Sequence, residues 1–188
     1  GAIVVESRGG VGRDAVEGGR RARSASVVTV AIVTADLLVV PPAIARRVRE
    51  AAGMPVLFTA THTRSGPGAA RPGVVGSAFG GRYRPAVEAA IGRAMITAIE
   101  RAAGDLQPAT GALRSVAAGD LIRNRTRDES AVGHLVDPWL DLVAFQAADG
   151  SRAALVRYSA HPTIIGPGNL EFSAGYPGAL RRAVEERE

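Results

Sequence analysis

The sequence predicts an α/β fold, a mixed β-sheet flanked by helices, and three observations carry that reading. Residues 27–35 form an apolar run rich in β-branched side chains, residues 42–52 follow with helical spacing opened by Pro42 and closed by Gly53, and residues 55–61 are again short and apolar. Extended, helical and extended segments in that order make a β-α-β unit, the connection that joins parallel strands. Further on, Val87, Ile91, Met95 and Ile99 recur every fourth residue. That stripe predicts a long helix over 85–103 with its apolar face in the core and Gly104 at its C-terminal end.

The remaining elements follow from local signals. Strands are expected over 111–118, 140–147 and 153–159, the last two joined by the hairpin dipeptide Asp149-Gly150. A final helix is expected over 176–186, with Pro177 in its first turn. Residues 1–25 are rich in Gly and Arg and show little periodicity, so they are expected to be a loop or a ragged edge ahead of a single α/β domain over 26–188. The Gly9-Gly10-Val11-Gly12 run does not meet the requirements of a dinucleotide-binding turn. Residues 2–5 make a poor strand before it, and residues 13–17 a poor helix after it.

Composition narrows the function classes. The chain has 188 residues, 46% of them hydrophobic and 22% charged, with 23 Gly, 11 Pro and no Cys. A chain of this size can bury a core without disulfides, and disorder, collagen and disulfide-scaffold compositions are excluded. All 23 basic residues are arginine, and the formal net charge is +5. A nucleic-acid partner is not expected, because aromatic residues are only 4% and the clusters Arg46, Arg47, Arg49 and Arg181, Arg182, Arg187 sit among glutamates as solvated helix faces do. The longest apolar run, 27–40, is too short to span a bilayer and carries Asp36, so no transmembrane segment is predicted.

Two of the three histidines share a context. His62 follows the strand ending Thr59-Ala60-Thr61 and precedes Thr63-Arg64-Ser65-Gly66-Pro67-Gly68, and His161 follows the strand ending Tyr158-Ser159-Ala160 and precedes a loop containing Gly166-Pro167-Gly168. In open α/β sheets, ligands bind beyond the carboxyl ends of strands, and neutral imidazole is a common zinc ligand. Each histidine either caps its own strand or contributes to a shared metal site. His134 has no such context and reads as a loop residue.

The stretch Thr61-His62-Thr63-Arg64-Ser65-Gly66-Pro67 resembles the zinc-binding signature Thr-His-Thr-His-Ser-Gly-Pro of the neutral, non-lysosomal ceramidase family. Other segments resemble that family's motifs in the same order: Ala98-Ile99-Glu100-Arg101-Ala102, Asn124-Arg125-Thr126, Val136-Asp137-Pro138, Ser159-Ala160-His161-Pro162-Thr163 and Phe172-Ser173-Ala174-Gly175-Tyr176-Pro177-Gly178. The resemblance covers about residues 26–186 and implies the N-terminal part of a larger catalytic domain. It further implies a bound Zn2+ held by His62 and His161, with Arg125 contacting substrate as a catalytic group and Arg64 at a substrate-positioning site. The implied reaction is hydrolysis of the N-acyl amide bond of ceramide or a related lipid by a zinc-activated water. A ceramide-like substrate also leaves peripheral contact with a membrane surface open, and the family is secreted or periplasmic.

The sequence departs from that pattern in three ways. Arg64 stands where the family has its second histidine, and a guanidinium cannot act as a base near neutral pH. Gly175 stands where relatives have an aspartate. The family's glutamate and tyrosine zinc ligands fall later in the domain than this sequence extends, with Asp36 and Glu171 as the carboxylates to inspect in their place. These departures keep a second reading open, a truncated or degenerate homologue without catalysis.

Overall fold

The structure is a computed structural model that describes residues 1–8, 27–124, 136–166 and 168–186. The chain divides into two compact units, one of residues 1–106 with 167–188 and one of residues 107–166.

The first unit is built on a three-stranded mixed sheet in the order β1-β2-β3. Strand β1 (Ala2–Arg8) pairs antiparallel with β2 (Val27–Ala35), and β2 pairs parallel with β3 (Val56–Ala60) through the helix α1 (Pro42–Ala52). Helix α1 begins at Pro42, where a missing N–H costs nothing, and ends at Gly53, whose φ of 63° is the left-handed conformation that stops a helix. A short helix α2 (Val74–Gly80) follows, and then the long α3 (Pro85–Gly104). Helix α3 packs on α1 and on the sheet. The core joins Val4, Ala31, Val33 and Val56 from the strands to Ile44, Val48, Met95 and Ile99 from the helices. The sheet face carrying Ala31 and Val33 is therefore the covered one. On the other face Leu57, paired with Ile32, is 56% exposed.

One charged group lies inside this packing. Glu88, in the first turn of α3, is only 6% exposed and accepts hydrogen bonds from Arg47 of α1 at 3.3 Å and from the Tyr83 hydroxyl at 2.7 Å. A buried carboxylate is tolerated only when partnered, and these two donors fix where α3 starts against α1. The hydrogen bond to Glu88 pushes the Tyr83 phenol above its ordinary value.

The second unit is an antiparallel sheet in the order β4-β5-β6, from β4 (Ala109–Ala117), β5 (Trp139–Ala147) and β6 (Arg152–Tyr158). The β5–β6 hairpin turns at Asp149-Gly150: Gly150 has φ 89°, and Asp149 Oδ1 accepts from the Ser151 N–H at 2.9 Å. Every residue of β4 is exposed. The chain closes in the first unit with helix α4 (Gly175–Glu185).

The α/β class and the β-α-β unit stand as expected, with three corrections. The strands form two sheets and not one, because alternation marks a strand without saying which strand it will pair with. Residues 2–8, expected as loop, form β1, an edge strand whose pairing with β2 supplies what its weak local pattern lacks. That pairing is antiparallel, so β1 is not the parallel strand a dinucleotide-binding unit requires. Helix α2 had no sequence signal, since two of its seven residues, Gly76 and Gly80, with the Gly73 before it, make a Gly-interrupted segment lacking helical periodicity. The glycines of 9–26, together with Arg125 and His134, lie outside the described residues.

Replacing Ile44, which is 0% exposed, by alanine is expected to lower stability by about 2–5 kcal/mol, read as a lower denaturant midpoint at unchanged slope. The same measurement on Leu113→Ser, at a site 67% exposed, should stay within about 0.5 kcal/mol of the parent. The raised Tyr83 value means that its bond to Glu88 contributes fully below pH 10 and is lost as pH rises through the folded value. Tyr83→Phe should remove that part of the alkaline loss of stability in a pH series of thermal melts.

Candidate functional site

The carboxyl ends of the parallel strands β2 and β3 lie side by side, and the site grows from the two loops that leave them. Thr61 N–H donates to Ala35 O at 3.0 Å, which carries the pairing one step past β3 and brings the 36–38 bend against His62. His62 adopts φ 58°, a left-handed conformation uncommon for a side-chain-bearing residue and costing about 1 kcal/mol or more. Its ring nitrogen Nδ1 lies 2.7 Å from the carbonyl oxygen of Leu38. A carbonyl can only accept, so Nδ1 carries a proton, and in the neutral form of such a ring Nε2 is the nitrogen that bears the lone pair. That carbonyl bond is the arrangement by which metal-ligating histidines have their tautomer and ring orientation fixed.

The next residue anchors the loop. Thr63 is 3% exposed, and its hydroxyl donates to Ser173 O at 2.5 Å while accepting from the Ser65 N–H at 3.1 Å. Ser173 N–H in turn donates to Ser65 O at 2.9 Å, an isolated antiparallel bridge. Asn169 Nδ2 reaches Ser65 Oγ at 2.9 Å and the Glu171 carbonyl at 2.6 Å. The 169–173 segment, over a hundred residues downstream, is thus stitched to the His62 loop by backbone and side chain alike. Gly66 has to be glycine here, because a Cβ would fall 2.5 Å from Asp36 O and 3.2 Å from the Thr63 methyl.

An open cleft of about 450 Å³ lies between these segments, lined among others by Asp36, Ser65, Ser173, Phe172 and Arg181. Arg181 Nη1 lies 3.4 Å from Asp36 Oδ2, while Asp36 Oδ1 and the Thr61 hydroxyl are buried without a hydrogen-bond partner. Gly175, in place of the family's aspartate, has φ 64° at the start of α4. Glycine adopts that region without strain, whereas an aspartate is strained there, though less than most side-chain-bearing residues.

Of the residues singled out from the sequence, His62 and Arg64 lie two residues apart on this loop, both exposed, and Asp36 lines the cleft beside it. Glu171 belongs to the stitching segment through its carbonyl. His161 is exposed and lies in the second unit, after β6. Among the described residues no three His, Asp or Glu side chains gather into a metal-holding group.

The second unit holds a polar network that motif reading did not anticipate. Arg157 of β6 pairs with Asp137 and, at 2.9 Å, with Asp141, while Ser159 Oγ donates to Asp137 at 2.9 Å and Ser115 Oγ to Asp141 at 2.7 Å. Asp141 and Arg157 are register partners, a clue that only correct strand pairing could have exposed. The Ser159 hydroxyl first, then the Trp139 N–H and Arg157, hold the Asp137 carboxyl below the usual range, and Ser115 and Arg157 do the same for Asp141. The network fixes the exit of β6, two residues before His161.

Thr63→Val is expected to cost about 1–3 kcal/mol, because the buried Ser173 carbonyl and Ser65 N–H lose their shared partner, while Thr63→Ser retains most of the stability in the same denaturation series. The lowered Asp137 and Asp141 values mean that their network stabilises the fold above the ordinary carboxylate range and is lost as pH falls through the folded values. Arg157→Met should move the onset of acid unfolding to higher pH, followed by circular dichroism.

No protein-family model matches the chain, and no curated protein matches it. Solved structures do. A ceramidase complexed with C2 matches with a TM-score of 0.70 and 25% identity, over 84% of this chain and 27% of that one. The neutral ceramidase from Pseudomonas aeruginosa matches with a TM-score of 0.65 and 24% identity, over 82% of this chain and 27% of that one. The chain thus spans about a quarter of the length of the ceramidases it matches. Over that span it shares the fold of these ceramidases.

Proposed function

We propose that this chain is part of a zinc-dependent amidohydrolase that cleaves the N-acyl amide bond of ceramide or a related N-acyl lipid. The observation that carries the reading is the Nδ1–H bond from His62 to the Leu38 carbonyl at 2.7 Å, on a loop whose sequence resembles the family's zinc signature. Its support is the ceramidase fold around that loop. His62, presenting Nε2, and His161 are the proposed zinc ligands. When bound, zinc supplies a Lewis acid for the amide carbonyl and a water of lowered pKa.

The chain's own groups do the rest. Leu38 keeps the His62 ring in one tautomer, and the bond network of Thr63 keeps its backbone in the left-handed conformation. Arg64, exposed on the same loop, donates hydrogen bonds to the substrate headgroup and holds its proton throughout. The family's second histidine could exchange a proton from that position, and this chain cannot. Arg125 is the proposed second cationic contact to substrate.

The Arg64 replacement, with no third carboxylate or imidazole gathered at His62 among the described residues, supports the second reading of a non-catalytic homologue. Protein purified without chelator should carry near-stoichiometric zinc by elemental analysis and release fatty acid from a short-chain ceramide. His62→Ala should lower zinc affinity by about 10-fold or more and abolish release. Zinc retention without turnover would favour the non-catalytic homologue. A zinc-free parent protein, or turnover indifferent to His62→Ala, would overturn the proposal.

A further inference from the structure

We infer that the site beside His62 takes N-acyl amino acids, lipids whose amine half ends in a carboxylate, and that Arg64 binds that carboxylate; the step rests on the amidohydrolase reading and names its substrate class. Arg64 is an exposed cation on an anchored loop. The residue before it, Thr63, is 3% exposed and spends its hydroxyl on Ser173 O and the Ser65 N–H. The residue after it, Ser65, accepts at its carbonyl from the Ser173 N–H and at Oγ from Asn169, each at 2.9 Å. The backbone of Arg64 is thus held on both sides while its side chain stays in solvent. His62 and Arg64 flank a side chain that points inward, and both are exposed, so the two leave the loop on its solvent side with Cα atoms within about 7 Å of each other.

Charge selects the headgroup. Among the described residues the ion pairs of arginine fall on Arg47, Arg157 and Arg181, and Arg64 has none. Asp36, the carboxylate that lines the cleft beside the loop, lies 3.4 Å from Arg181. Between His62 and Glu88 the sequence carries Arg64, Arg71, Arg82 and Arg84 and no acidic residue. A neutral amino-alcohol headgroup offers such a cation only hydroxyl acceptors, whereas a carboxylate meets the planar guanidinium fork with two parallel charge-assisted hydrogen bonds. In an N-acyl amino acid the carboxylate stands one carbon from the amide nitrogen, close enough for one residue to hold the headgroup while another, two positions away, serves the amide. Water adds across the amide C–N bond: the acyl carbon takes the oxygen and leaves as a fatty carboxylate, and the nitrogen takes a proton and leaves as the amino acid. Arg64 binds and orients, keeping its proton throughout.

The test is calorimetric titration of the intact chain, in EDTA, with N-octanoylglycine, N-octanoylethanolamine and N-octanoyl-phosphoethanolamine, which share an acyl chain and differ at the end of the amine half. Turnover plays no part there, so headgroup recognition and the amidohydrolase reading stand or fall separately: a preference without hydrolysis in zinc keeps the first and sinks the second, and hydrolysis without a preference does the reverse. The Kd for the glycine conjugate should lie about fivefold or more below that for the ethanolamine conjugate, and the gap should narrow with salt. Arg64→Gln should close the gap and Arg64→Lys should keep part of it. Arg93→Gln, at an exposed arginine of α3, should leave it unchanged. Equal affinity for the glycine and ethanolamine conjugates, no binding of either, tighter binding of the phosphate conjugate, or a gap that survives Arg64→Gln would overturn the inference.

Discussion

The arrangement at the candidate site depends on one buried hydroxyl. Thr63 uses both of its hydrogen-bonding capacities, donating to Ser173 O and accepting from Ser65 N–H, in a place where water does not reach. Through it the loop after β3 is held to a segment 110 residues away. The left-handed conformation of His62 needs such a restraint, because an imidazole-bearing residue pays for that backbone region and relaxes out of it unless its neighbours are fixed. With Thr63 pinned on one side and the Leu38 carbonyl on the Nδ1 proton, the ring has one tautomer and one direction. The tight contact of Gly66 on Asp36 O follows from the same close approach of the two loops.

The first unit explains why the loops meet there. A β-α-β crossover places two parallel strand ends side by side, and the helices α1 and α3, joined by Glu88 with Arg47 and Tyr83, cover one face of the strands. The second unit works by another principle. Its sheet has no buried apolar side chain among the described residues, and its order comes from ladder hydrogen bonds and from the Asp137–Arg157–Asp141 network at one end. Both leave a histidine just past a strand, one fixed by packing and one preceded by an ionic network.

Much of this was legible in the sequence where the signal was local. Helix α1 has the bounds its prolines and Gly53 mark, and the Met95 and Ile99 stripe is core as its spacing implied. The Asp149-Gly150 hairpin needed only two residues to declare itself. Strand β1 was missed because its stability comes from its neighbour β2, and α2 because Gly76 inside it and Gly68 ahead of it serve close backbone contacts that leave no periodic trace. At the site, the chemistry of His62, Arg64 and Asp36 is legible in the sequence, whereas Thr63 stands there only as one residue of the motif. Its importance lies in where Ser173 sits, which no local pattern encodes.

The sequence by itself determined the α/β class, the core-facing stripe of α3 and the ordered motifs that resemble the ceramidases, since propensity, spacing and residue chemistry are properties of short stretches of chain. Only the tertiary structure decided which strands pair, and hence that there are two sheets. It also decided that residues 169–173 close on the His62 loop and that Val74, Val75 and Phe79 face outward. Those outcomes turn on contacts between residues far apart in the chain, where one hydroxyl or one missing Cβ settles which surfaces can approach.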